Sequence, residues 1–391
     1  MDLTYSAEQA LLRETLERLL RNVYSPEQRK RIVASADGRS PEAWQALADM
    51  GCFAPAFGEA NDGMGVDAVT LGIVAESLGR HLVVEPFAGT VLLAGRIVES
   101  MGTESQQRAL LPGVVAGNML LAFAHDEGPH AFAKRTLATR ARRSAGGWTL
   151  DGRKTAVLGA PSADWLVVSA RDEASDATSL FLVKRDAPGV TLTAWPTTHE
   201  QRAADIAFEG VRVSAADRLG GDAANGDADA VAVIDEAIDF ATAMQCADAV
   251  GAMDAVVAMT AEYLKTRTQF GQPLSRFQAL QHRMADMAVC VHESRAITLL
   301  ALLRARAAPR ERALAVSSAK AKVSACAQFV GRNAVQLHGA VGATQDLVVG
   351  NYFRRLTAFE SSFGAAGEHL SRYGAIMGDS RFSDRALLGS H

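Results

Sequence analysis

Cysteine is scarce. The 391 residues hold four, Cys52, Cys246, Cys290 and Cys326, widely spaced and with no CxxC pair. Such spacing argues against a disulfide framework or a clustered metal site and predicts reduced, buried thiols. Excess charge of one sign is lacking as well. Forty Lys and Arg against 44 Asp and Glu leave a net charge of −4, so no basic surface argues for nucleic acid. No apolar run approaches membrane-spanning length. The stretch from Met1 to Gln9 carries no basic-then-apolar signal pattern. A cytoplasmic protein follows as the expectation. What remains is ordinary for a globular chain: 48% hydrophobic and 21% charged residues, with length enough for two or three domains.

Taken in order, residues 1–118 read as helices. Leu11, Leu12, Leu16, Leu19 and Leu20 lie at helical spacing after Ser6, and Pro41 to Trp44 opens another helix. A glycine-rich loop runs from Ala54 to Gly65, and helices are expected at about 67–80 and 87–101. From 119 to 222 the period changes to two. Candidate strands are 120–124, 148–151, 165–170, 180–183 and 206–211, with turns at Asp151-Gly152 and Pro188-Gly189. A polar connector, 223–229, leads into the third region, 223–391. Four amphipathic segments there, at about 229–266, 275–305, 311–338 and 344–377, predict an antiparallel four-helix bundle.

Two long helices of that bundle meet at a short corner. Gly271 and Pro273 stop the first, and Ser275 is placed to cap the second, whose apolar period resumes at Phe277, Leu280, Met284 and Met287. The corner carries Arg267, Phe270, Gln278 and His282. A cation, an aromatic and an amide suit a phosphate–sugar–base ligand. Spacing alone supports the plainer reading better, a helix hairpin with a solvated Arg and a core Phe.

The wording of the corner resembles a known family. Arg267-Thr-Gln-Phe-Gly-Gln-Pro-Leu, then Phe277-Gln-Ala-Leu-Gln-His and Ala285-Asp-Met, is similar to the C-terminal signature of acyl-CoA dehydrogenases. Gln336-Leu-His-Gly-Ala-Val-Gly342 resembles that family's Gln-x-x-Gly-Gly-x-Gly turn, with Ala340 in place of the second glycine. Ala54 to Gly65 and Gly102 to Gly117 fit as well, so the resemblance covers nearly the whole chain. It looks most like the small subunits of pimeloyl-CoA dehydrogenase-type enzymes, which pair with a large subunit. It implies an α+β fold: an N-terminal helical domain, a β-barrel-like middle domain and a C-terminal four-helix bundle. It also implies FAD as cofactor. By resemblance, Arg267 and Phe270 reach across a subunit interface to the FAD of a neighbour, and Gln278 with Gln336 and Gly339 binds the ADP portion.

The chemistry implied is removal of a proton next to a thioester carbonyl while hydride leaves the adjacent carbon for the flavin, giving a trans-2-enoyl-CoA. Such a reaction needs a positioned base and a dry pocket. The family's base is a Glu before a Gly. Counting from Phe353-Arg354, that position is Phe363, before Gly364. A minority of the family draws its Glu from the first bundle helix, and here that position is Ala241. The nearby Asp235, Glu236 and Asp239 read as a solvated helix face. Glu360, three residues before Phe363 and on the same face if the stretch is helical, is the candidate base. Its plainer role is a helix cap or an ion pair with Arg354 or Arg355.

The flavin wall is altered too. The strand that carries Thr-Glu in the family reads Leu121 to Glu127, and the Gly-Ser-Asp turn is replaced by Gly128-Pro129-His130. Ala156-Val157-Leu158 stands where the family has Trp-Ile-Thr, so ring contacts fall to the backbone of Val157 and Leu158. His125 reads equally as a satisfied strand residue or as a flavin or substrate contact. Thr and Gln positions beyond the base are Ala365 and Gly367.

Three functions follow. The first is an FAD-dependent acyl-CoA dehydrogenase, passing electrons to an electron-transfer flavoprotein as part of a homo- or hetero-oligomer. The second is a non-catalytic subunit completing a partner's FAD site. The third is a flavin enzyme of this fold acting on a non-thioester.

Overall fold

Capping side chains set the N-terminal helices. In the computed structural model, Ser6 accepts from Gln9 N while Gln9 reaches back to Ser6 N, which starts α1 (Ala7–Val23). Ser25 and Ser40, each followed by a proline, start α2 (Pro26–Ala34) and α3 (Pro41–Asp49). Asp67 caps α4 (Ala68–Arg80), which is buried along almost its whole length. A π-helical stretch, Ala88–Gly95, runs into α5 (Arg96–Met101), and α6 (Glu104–Val115) follows. The described residues are 5–128, 137–144, 146–221, 229–343 and 347–378. Residues 223–228 of the polar connector and Pro129-His130 therefore lie outside them.

The middle of the chain forms one seven-stranded sheet. Its strands are β1 (Leu121–Ala124), β2 (Arg140–Ser144), β3 (Gly147–Leu158), β4 (Trp165–Asp172), β5 (Thr178–Lys184), β6 (Val190–Pro196) and β7 (Arg202–Ser214). The order is β1-β4-β2-β3-β7-β6, with β5 on β4. Trp148, Leu150, Phe181, Ile206 and Phe208 fill its inner face. Burial of each such side chain contributes roughly 1.5–3 kcal/mol.

Three expectations change here. Asp151-Gly152 is not a turn but a register shift inside β3, where β3 pairs with β7. Gly152 has a φ of +153°, and a side chain there would lie 2.6 Å from Thr139. Two strands, β2 and β6, were not expected. The first is Arg-Ala-Arg-Arg-Ser, in which one small apolar residue gives no visible alternation. β6, on the edge, is half exposed.

Contacts divide the chain into two units, Met1–Ala241 and Thr242–His391. Helix α7 (Ala230–Thr266) runs through the division. In the second unit, α8 (Gln278–Arg304) packs on α9 (Pro309–His338), and α10 (Val349–Ser361) and α11 (Ala366–Gly378) pack on α9 as well. Arg355 of α10 grips Asp248 of α7 through two bonds, Nε to Oδ1 at 2.7 Å and Nη2 to Oδ2. The fourth bundle segment is thus two helices. Phe363 (φ +53°) and Gly364 (φ +97°) leave the helical region and break it. Ser275 does not cap α8. It lies in a short 3₁₀ turn, the N-cap position is Phe277, and the Ser275 carbonyl accepts from Gln281 Nε2 at 2.8 Å.

Candidate functional site

Helix α7 ends where Arg267 N donates to Tyr263 O at 2.9 Å. The chain then folds into a short hairpin, Thr268–Gln269 against Gln272–Pro273, which Leu274 N closes by donating to Arg267 O at 2.9 Å. Its two central residues, Phe270 and Gly271, have φ of +51° and +78°. A positive φ suits glycine, and holding Phe270 there costs about 1–3 kcal/mol. The phenyl ring recovers little, because it is 88% exposed, with Phe277 edge-on at 6.0 Å. The expected core Phe is therefore a projecting one.

The same end of the bundle gathers the other expected ADP contacts. Tyr263 Oη donates to His338 O at 3.3 Å and the two rings stack at 4.4 Å, which ties the end of α7 to the end of α9. Gly339 follows with φ +66° and ψ −150°, a backbone region that is essentially glycine's own. Arg267, Gln278 and Gln336 are exposed, and their side chains form no hydrogen bond or ion pair among the described residues. A guanidinium, two carboxamides and an approachable glycine backbone remain available to a phosphate-bearing ligand.

The expected flavin wall is built around a buried lysine. Lys154 of β3 is fully buried and donates to Glu127 Oε1 (2.7 Å), His125 O (3.0 Å) and Ser169 Oγ (3.2 Å). Burial pulls its amine down to about 8, with Glu127 opposing. Burial also works to raise Glu127, but the Lys154 charge and hydrogen bonds from Lys154, Thr139 and Ala138 hold that carboxyl down at about 2. His125 Nδ1 lies 2.9 Å from Ser169 Oγ, and the ring stacks on Phe123 at 5.1 Å. Burial and then the Lys154 charge pull the imidazole down to about 4, so it is neutral at ordinary pH. Val157 is buried and pairs with Ala204, while Leu158 pairs with Ala203. The Leu158 carbonyl is packed so close to Gly89 that a Cβ there would lie 2.6 Å from it.

The turn at the family's base position is held from several sides. Lys320 of α9, fully buried, donates to Phe359 O and to Ser362 O (2.8 Å), with its ammonium 3.7 Å above the Phe359 ring. Burial pulls this amine down to about 8, with the Cys246 and Glu360 charges opposing. His369 bridges Ser317 Oγ (3.2 Å) and Phe363 O (2.9 Å). Glu368 Oε2 accepts from Ala365 N at 2.8 Å, and Glu360 Oε1 accepts from Ala366 N at 3.1 Å. Glu360 is thus a cap on the first turn of α11. Phe363 lies beyond the end of α10, so the two side chains do not share a helical face. Arg355 is engaged by Asp248.

The acidic residues of α7 also differ from expectation. Asp239 is buried, not solvated, and Glu236 Oε1 accepts from Arg96 Nη2 at 3.2 Å. Sequence reasoning passed over Lys154, Lys320 and His369. Lys154 lies in β3, and only packing shows that it is buried. Lys320 alternates with Lys322 on α9, and only packing decides which of the two goes inside.

Acyl-CoA dehydrogenase domains match in the order expected of the geometry: the N-terminal domain over residues 6–118, the middle domain over 123–211 and the C-terminal domain over 231–375. This chain belongs to the acyl-CoA dehydrogenase family. It is a flavoprotein oxidoreductase by membership, and FAD is the cofactor its fold takes. Acyl-CoA dehydrogenase FadE27 of Mycobacterium tuberculosis is 28% identical over 393 residues, covering 97% of this chain and 99% of that protein. Benzylmalonyl-CoA dehydrogenase of Aromatoleum aromaticum is 27% identical, covering 74% of this chain and 76% of its own. Among solved structures, a chain of the ChsE4–ChsE5 complex from Mycobacterium tuberculosis superposes with a TM-score of 0.87 at 27% identity, covering 97% of this chain and all of that one. Among the described residues, no helix is long and apolar enough to cross a membrane, and no group of three metal-ligating side chains occurs.

Proposed function

We propose that this chain is the smaller subunit of a hetero-oligomeric acyl-CoA dehydrogenase, completing the FAD site of a partner chain that carries the base. The observation that carries this reading is the hairpin: Phe270 is held at a costly φ and left 88% exposed beside an unengaged Arg267. That arrangement does nothing for the isolated chain. It makes sense as a peg for a ligand held by another subunit, as does the similarity to a chain of a two-component complex.

The residues present fit the ADP half of FAD and fit the flavin half less well. Arg267 would fork onto the pyrophosphate, Gln278 and Gln336 would bond the adenosine side, and Gly339 would let the backbone close in. Along β3, Ala156-Val157-Leu158 offers no side-chain hydroxyl, and the Leu158 carbonyl is already covered. Bound FAD supplies the hydride acceptor, with an acyl-CoA as substrate, a trans-2-enoyl-CoA as product and an electron-transfer flavoprotein as the onward acceptor. Glu360 is the carboxylate this chain could offer as base. Its bond to Ala366 N and the Phe363 substitution favour a capping role instead, with the partner supplying the base.

The test is composition. The chain, tagged and purified from its native cells with what it assembles with, should appear in a hetero-oligomer holding half as much FAD as protein chains. Glu360→Gln should leave turnover of that complex unchanged. A homo-oligomer with one FAD per chain, reduced by an acyl-CoA, would overturn the proposal; loss of turnover in Glu360→Gln would restore the catalytic role.

A further inference from the structure

We propose that Cys290 and Cys326 form a dithiol that closes to a disulfide between α8 and α9 by exchange with a small disulfide such as oxidised glutathione. The four cysteines are not alike. Cys52, Cys246 and Cys326 are buried, as expected, but Cys290 is half-buried and open to solvent. Burial pushes the Cys52 and Cys246 thiols up to about 12, which keeps both inert.

The helix register brings the other two together. Lys322 Nζ of α9 lies 2.6 Å from Glu293 Oε2 of α8, and Arg304 Nη1 lies 3.2 Å from Glu311 Oε2 where the chain turns from one helix to the next. These pairs fix a single antiparallel alignment. Cys290 stands one turn before Glu293, and Cys326 one turn after Lys322. In an antiparallel pair those positions face each other. The two thiols lie within hydrogen-bonding reach, with the Lys322 charge beside both. Bonding them asks for side-chain rotation and little backbone movement.

Burial, then the charge and hydrogen bond of Cys326, push the Cys290 thiol up to about 12, with Lys322 opposing and Glu293 adding to the rise. Two thiols that share a site lose their protons in two steps that belong to the pair. The second step is the costly one, because the remaining S–H donates to the sulfur already ionised. Exchange needs only one thiolate to begin. The Cys290 sulfur, the accessible one, attacks a sulfur of oxidised glutathione, and one glutathione thiolate leaves. The Cys326 sulfur then attacks Cys290, and the second glutathione thiolate leaves. Two electrons pass to the reagent, and the two protons of the dithiol end on the two glutathiones. The bond ties the helix that opens at Gln278 to the one that carries Gln336. Neither cysteine belongs to the hairpin or to the base segment, so the inference stands apart from the proposed subunit role.

The test is a thiol map. The full chain is incubated with oxidised glutathione, unfolded, alkylated, digested and read by mass spectrometry. Two of the four thiols should be lost, in a Cys290–Cys326 bond within one chain, and dithiothreitol should restore them. Cys326→Ser should instead hold glutathione on Cys290, because no second thiol displaces it. Cys290→Ser should lose no thiol. Four alkylated thiols after incubation, a bond between any other pair, or glutathione held on Cys290 of the parent chain overturns the proposal. The parent map decides even where a variant does not fold.

Discussion

Two Phe-Gly corners use the same backbone device for opposite ends. Phe270-Gly271 has φ values of +51° and +78°; Phe363-Gly364 has +53° and +97°. Around Phe363, Lys320, His369, Glu368 and Glu360 take up the backbone groups of the turn. Around Phe270 there is little besides the edge of Phe277, and the ring stands in solvent. The strained conformation is therefore not itself a sign of a site. What separates the corners is whether the surroundings complete it. The supported corner is a rigid turn of the fold. The unsupported one is a projection that stands in solvent.

The largest expected effect removes the support from one corner. Lys320→Met leaves the Ser362 carbonyl unmet and the Phe359 carbonyl with Ser362 N alone, at 3.2 Å, and should cost about 3 kcal/mol in urea unfolding. A loss below about 0.5 kcal/mol would show that the turn holds without it. The same variant has a pH signature. Lys154 and Lys320 are both pulled down to about 8 from an ordinary 10.5. Between those values the unfolded chain keeps protons that the folded chain has shed, so each lysine makes stability rise with pH, while the buried thiols of Cys52 and Cys246, raised from 9.0 to about 12, oppose it above about 9. Lys320→Met should lower the slope of stability against pH relative to the parent chain between about 8 and 10.5, and an unchanged slope would contradict the assignment.

At the other corner the sign of the comparison reverses. Arg267→Gln should leave stability within about 0.5 kcal/mol. FAD binding in the complex should weaken by roughly tenfold or more, the scale of a charged hydrogen bond. Phe270→Ala should act in the same direction and less, with unfolding unmoved, because alanine keeps the Cβ that makes this φ costly. Equal damage to folding and to FAD binding would make this corner structural like the other. The smallest effect is Glu360→Gln. A neutral acceptor keeps the bond to Ala366 N but loses the charge at the helix start, a cost of about 0.3–1 kcal/mol, read from the urea midpoint.

Legibility in the sequence followed the range of the interactions. Ser6, Ser40 and the leucines of α1 act within a few residues, so those helices could be read directly. The long bundle helices could be read from their period, and the corner residues from motif resemblance. Where the pattern was local but misleading, the reading failed. Asp-Gly usually turns a chain, yet here the strand continues, because Gly152 pairs with Phe208 of the distant β7. Arg-Ala-Arg-Arg-Ser forms a strand because its neighbours β3 and β4 supply the pairing. The base segment could not be read at all beyond its altered residue. Its conformation depends on Lys320, 42 residues before Ser362, and on Ser317, 52 residues before His369.

The central claim is that this chain supports another chain's flavin and does not hold a complete site of its own. The most direct measurement is the visible spectrum of the purified chain alone, followed by anaerobic addition of a panel of acyl-CoA esters. The account predicts a protein without a flavin band, or with one that no ester bleaches. A band that is bleached by an acyl-CoA would contradict it, and would place a working base within these 391 residues.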